Sequence, residues 1–76
     1  MTIGKRAVRE IIRHAGSPKP KDIRMELGKL DIPYASYKDW KLEAANPGGY
    51  YLAKMALAGY DIYWILTGEK QNGCDV

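Results

Sequence analysis

From Ala7 to Ala15 the apolar positions fall at Ala7, Val8, Ile11, Ile12 and Ala15, the spacing of one buried face of a helix. Thr2 is placed to cap its start and Gly16 to end it. The following "SPKPK" cannot continue that helix, because Pro18 and Pro20 both lack an amide proton, but Pro20 suits the first position of a second helix. Ile23, Leu27 and Leu30 give this second helix its apolar side. "LDIP" then breaks the chain, with Asp31 as a cap and Pro33 in the first turn of a third helix predicted to run to about Ala45. Tyr37, Trp40 and Ala44 share one side of that helix. In "NPGG", Asn46 and Pro47 are expected to open a fourth helix whose inner face is Leu52, Met55 and Ala56 and which closes at Gly59. Asp61 is a cap for a short fifth helix through Ile62, Trp64, Ile65 and Leu66, ended by Gly68, with Trp64 and Leu66 expected in the core. No stretch alternates cleanly enough for a strand, so the predicted class is all-α with five short helices.

A chain of 76 residues supports one domain, here residues 1–70, with a polar tail at 71–76 expected to fray. It leaves no room for a second domain that senses a small-molecule effector. There is no apolar run near the ~18 residues of a membrane span, and the first residues lack the apolar core of a signal peptide, so a cytoplasmic protein is expected. The single cysteine, Cys74, excludes an internal disulfide and a cysteine metal site. His14 falls on the polar side of the first helix, where a solvated histidine is expected, and no Ser, Cys or second His stands in relation to it. With no phosphate loop and no metal-ligand spacing, the reading is a protein that is not an enzyme and takes no cofactor or metal.

Charge changes the picture more than composition does. Residues 1–41 carry ten Lys or Arg against five acids, whereas residues 42–76 carry two against four, as in a domain that faces a polyanion on one side. Two short helices joined by a tight break in a small all-α domain are the layout of a helix-turn-helix. If Leu27, Leu30, Ile32, Tyr37 and Trp40 meet in one core, the third helix turns its other side to solvent. Tyr34, Ala35, Ser36 and Lys38 are then candidates for base edges, because small residues allow close approach and hydroxyls and ammonium groups bond to groove atoms. Candidate phosphate contacts are Lys41, Lys19 and Lys21 at the amino end of the second helix, and the stripe Lys5, Arg9 and Arg13 on the first, with Arg6 beside it. The register of Tyr37 and Trp40 with the apolar positions favours core packing over a stacking platform for single strands.

"DIPYASYKDWKLEA" followed by "NPGGYYLAKMALAGYDIYWILTGE" resembles the DNA-binding domain of phage repressors of the lambda-repressor and Cro type, over about residues 20–70. The closing "AGYDIYWILTGE" is the most specific part of that resemblance. It implies a compact five-helix lambda-repressor-like domain containing a helix-turn-helix. It further implies sequence-specific binding of a double-stranded DNA operator and transcription regulation in a phage or prophage, by a homodimer on two-fold DNA. Tyr50, Tyr60 and Tyr63, clustered in the C-terminal half, are the dimer-interface candidates, since tyrosine is enriched at interfaces. A different class of function also fits the sequence: a protein-binding module of the same fold that grips a host protein such as a polymerase subunit or a toxin.

Overall fold

The computed structural model describes residues 1–69, which form five helices and no strand: α1 (Ile3–Ala15), α2 (Pro20–Leu30), α3 (Tyr34–Lys41), α4 (Gly49–Leu57) and α5 (Ile62–Thr67). The expected tail and Cys74 lie outside the described residues. At the start of α1 the Thr2 hydroxyl accepts from the Lys5 amide at 3.1 Å, and at its end Gly16 takes the left-handed conformation and returns its amide to the Ile12 carbonyl at 2.9 Å. Ala7, Val8 and Ile11 are buried along one side of α1, and α2, α3 and α5 all pack against it. α4 packs on α5 and meets α3 where the Tyr51 ring touches that of Trp40. The expected meeting of Leu27, Leu30, Ile32, Tyr37 and Trp40 occurs, in one core shared with Ile23, Met55, Tyr60 and Ile65. No helix among the described residues is long and apolar enough to cross a membrane.

Several boundaries differ from the sequence expectation, each for a tertiary reason. Asp31 does not cap α3; it closes α2 in a left-handed conformation at φ 58°. α3 stops at Lys41, because Glu43 is left-handed and the amides of Ala44 and Ala45 fold back onto the Asp39 carbonyl at 2.8 and 3.4 Å. Ala44 is therefore outside the helix and exposed. Asn46 caps α1 in place of α4: its side-chain oxygen accepts from the Gly4 amide at 2.9 Å. α4 begins later, behind Gly48. The approach is tight, since a Cβ on Gly4 would lie 2.9 Å from the Ala45 carbonyl oxygen and 3.1 Å from that of Trp40. On α4 and α5, Ala56 and Leu66 are exposed and Trp64 is half-buried, so the inner faces are narrower than the periodicity suggested.

Two carboxylates enter this interior, and both are bonded. Glu10 of α1 accepts from both the Nε and an Nη of Arg13 at 3.0 and 2.9 Å and from the Asp61 amide at 3.3 Å, which anchors the start of α5. Glu26 of α2 accepts from the Tyr60 hydroxyl at 2.6 Å. Tyr60 was an expected dimer residue, but it is only 5% exposed and its ring stacks on His14 at 3.9 Å, so it is a core residue of the single chain. His14 correspondingly is not simply solvated. Burial of Tyr60, with Glu26 as its acceptor, pushes the phenol well above the usual tyrosine range and keeps it a donor. Burial of Glu10 opposes its ionisation, but Arg13, the Asp61 amide and the neighbouring His14 outweigh it and hold the carboxyl below the usual range.

Trp40→Ala is expected to remove about 3 to 5 kcal/mol of stability, while Leu57→Ala, at a side chain 91% exposed, should stay within about ±0.5 kcal/mol; urea unfolding of both separates core from surface. Stability should also carry an acid limb. Because Glu10 holds its proton less tightly folded than unfolded, its contribution is complete above the ordinary value of 4.5 and is lost as pH falls through the lowered folded value. Glu10→Gln should flatten that limb in melts taken from neutral pH downward through the acid range; an unchanged limb places the acid sensitivity elsewhere.

Candidate functional site

The turn Asp31–Pro33 sets α3 against α2 in three residues. With Asp31 left-handed, its amide returns to the Gly28 carbonyl at 3.3 Å and the Ile32 amide to that of Leu27 at 3.0 Å, which points Ile32 into the core. Asp tolerates this conformation better than most residues. Pro33 is extended at φ −64° and precedes α3 without a side-chain cap. Tyr37 and Trp40 then hold α3 down, both nearly inaccessible, with the Trp40 ring meeting the Tyr51 ring of α4 edge-on at 5.6 Å. What remains outward is Ala35, Lys38, Asp39 and Lys41, all exposed, flanked by half-buried Tyr34 and Ser36. A short helix thus has one face fixed in the core and the other open, uncovered by any other element of the described chain.

The cations expected to flank this face are not equivalent. Lys19 and Lys21 are exposed at the amino end of α2, where the Ser17 hydroxyl bonds to the Asp22 carboxylate and accepts from the Lys19 amide at 3.2 Å. Arg9 is exposed and Lys5 half-buried, and neither makes an ion pair among the described residues. Arg13 differs, because its charge is matched by Glu10 through a two-pronged pair. Arg6 is committed to structure: it donates to the carbonyls of Ile65 at 2.7 Å, Leu66 at 3.3 Å and Met1 at 2.7 Å. These bonds neutralise the end of α5, where Gly68 bends away in a left-handed turn.

Three features were missed in the sequence. Arg24 of α2 places its guanidinium carbon 4.8 Å from the centre of the Tyr34 ring. Asp39 puts a carboxylate on the outward face of α3, and its helical spacing from Ala35 was signal enough to find it. The third is α4, whose solvent side is apolar: Tyr50 is 68% and Leu57 91% exposed, with Ala53 between them. Lys54 lies at the edge of this strip, 4.8 Å from the Tyr50 ring and 3.5 Å from the Asp31 carboxylate. Tyr63 of α5 is exposed too, so two of the three expected interface tyrosines are at the surface.

No known protein family, curated protein or solved structure matches the chain.

Arg6, bonded to three carbonyls, makes a direct contrast with Arg9, unpaired among the described residues. Arg6→Ala should lower stability by about 1 to 3 kcal/mol through the charge-assisted bonds it loses, whereas Arg9→Ala should fall within about ±0.5 kcal/mol. Denaturant titration of the two variants measures this, and equal stability would show that Arg6 contributes no more than a surface cation.

Proposed function

We propose that this chain is a sequence-specific double-stranded DNA-binding regulator of transcription, a phage or prophage repressor of the lambda-repressor and Cro type, acting as a homodimer on a two-fold operator. In this reading α2 and α3 are a helix-turn-helix and α3 is the helix that enters the major groove. The observation that carries it is the two-faced α3: Tyr37 and Trp40 fix its inner side, while Ala35 and Lys38 stand open opposite, with Tyr34 and Ser36 at the margins. A rigid helix with a small residue near its amino end fits the groove, and a hydroxyl and an ammonium beside it bond to base edges. Lys41, Lys19 and Lys21 would hold the flanking phosphates, with Lys5 and Arg9 as weaker contributors, and Arg13 adds least because Glu10 already neutralises it.

Mechanism follows from occupancy. A dimer seated on an operator that overlaps a promoter excludes polymerase from the same DNA, and its control is its own concentration. Two copies are needed because one short helix in one groove buries too little surface for tight specific binding. Tyr50, Leu57 and Tyr63 are the exposed residues offered for the second copy. Asp39 has a particular place in this reading: a carboxylate facing the groove is repelled by phosphate but accepts from the cytosine amino group, so it would favour specific over non-specific DNA. The exposed apolar strip of α4 also supports the second reading, a module that grips another protein. The two differ in salt dependence, because only phosphate neutralisation releases counterions.

Selection of bound duplexes from a random pool should return a sequence with two-fold symmetry, bound with an affinity that falls steeply with salt. Lys38→Ala should keep the melting temperature and weaken operator binding, and Ser36→Ala should relax preference at one base pair by about 1 to 3 kcal/mol. Arg9→Ala should lower the log–log salt slope by about one, against little change for Arg13→Ala. Binding that no duplex competes for, or one chain per operator in sedimentation, would overturn the corresponding half of the proposal.

A further inference from the structure

Of the four arginines, Arg6 and Arg13 have their donors occupied by carbonyls and a carboxylate. Arg24 is the opposite case. It is exposed, and among the described residues it makes no hydrogen bond and no ion pair, but it is not loose, because its cation lies over the face of Tyr34. This attraction uses the charge and the ring quadrupole and consumes none of the five N–H donors. Tyr34 in turn is half-buried and leans on the buried Tyr37 ring at 5.6 Å, so the platform under the guanidinium is tied to the core. The first turn of α3 contains no acid, and Pro33 offers no side-chain cap there, so nothing on that helix end competes for the cation.

The position of the pair selects its ligand. Tyr34 is the first residue of α3, and the amino-terminal residues of a groove-entering helix are those that meet base edges, whereas phosphates lie to its sides. A guanidinium held at that end with its donors unoccupied matches the paired O6 and N7 acceptors that guanine alone presents in the major groove. We infer that Arg24, steered by Tyr34, is a base-reading residue that recognises one guanine in each half-site. The inference rests on the DNA-binding reading above and adds to α3 a specificity residue supplied by α2. The same ring keeps Tyr34 in a supporting role, orienting Arg24 and leaving direct readout to Ala35, Ser36 and Lys38.

The test is a double-mutant cycle on the duplex selected by the wild-type chain, with each guanine of the half-site replaced in turn by another base or by 7-deazaguanine, which lacks the N7 acceptor. Arg24→Ala should weaken operator binding about 10- to 100-fold and abolish the preference at one guanine, and 7-deazaguanine at that position should weaken the wild type but not the variant. Arg24→Lys, which keeps the charge and loses the fork, should not restore the preference. Tyr34→Phe, which keeps the ring, should retain the preference at that guanine, while Tyr34→Leu should lose part of the affinity in the wild-type background and less than about twofold once Arg24 is already alanine. Melting curves confirm that each variant is folded. Arg24→Ala that weakens all duplexes alike and lowers the salt slope by about one would make Arg24 a phosphate contact and overturn the inference while leaving the DNA-binding reading intact. A wild-type chain that enriches no duplex overturns both.

Discussion

The open face of α3 depends on α1. In a chain this short a helix cannot be held in place by layers of core on every side, and α1 is the one element that α2, α3 and α5 all touch. Its buried side is small where contact must be closest, at Gly4 and Ala7, and branched where volume is needed, at Val8 and Ile11. The close approach at Gly4 brings the carbonyls of Trp40 and Ala45 against the first turn of α1, and Asn46 completes it by accepting the Gly4 amide. The amino end of one helix thereby fixes where another stops. That is how α3 comes to be only eight residues long, with its outward residues set by contacts far away in sequence.

Apolar packing alone leaves a small helical domain free to slide, since hydrophobic contact has no direction. Directional bonds are supplied here by Glu10 and Glu26. They tie α1 and α2 to the same short connection, Tyr60 and Asp61, between α4 and α5. Both carboxylates are buried and both are bonded, and no buried side-chain polar atom among the described residues lacks a partner. Removing one partner from such an arrangement leaves a desolvated charge behind, which is why it constrains the packing more than an equal area of aliphatic contact does.

Helix number, order and most core residues were legible in the chain because they depend on local spacing: Ala7, Val8 and Ile11, then Ile23, Leu27 and Leu30, then Tyr37 and Trp40, each recur at the helical period. Capping was legible only where the cap serves its own helix, as at Thr2, Gly16 and Asp61. Asn46 and Asp31 carry the same local signals but were drawn to other tasks, one to the Gly4 amide and one to the end of α2. Tyr60 could not be placed from sequence, since an aromatic beside a glycine reads as surface until Glu26 and His14 are known to lie against it. Among the candidate site residues, pattern separated the exposed Ala35, Lys38 and Lys41 of α3 from the buried Tyr37 and Trp40, but it left out the exposed Asp39 and did not mark Tyr34 and Ser36 as half-buried. It could not show that Arg13 is neutralised, or that Arg24 and Tyr34 meet, because pairing across a turn has no periodicity.

Arg6 also has a mechanical meaning. By donating to the Met1 carbonyl and to the carbonyls of Ile65 and Leu66, one guanidinium clasps the strand of chain entering α1 to the last turn of α5. The described chain is therefore nearly a closed ring, in which a short linker could join its two ends and a new opening could be cut in the exposed turn between α1 and α2. A load applied through the ends would not be carried along the helices; it would fall first on this clasp and on the α1–α5 contact.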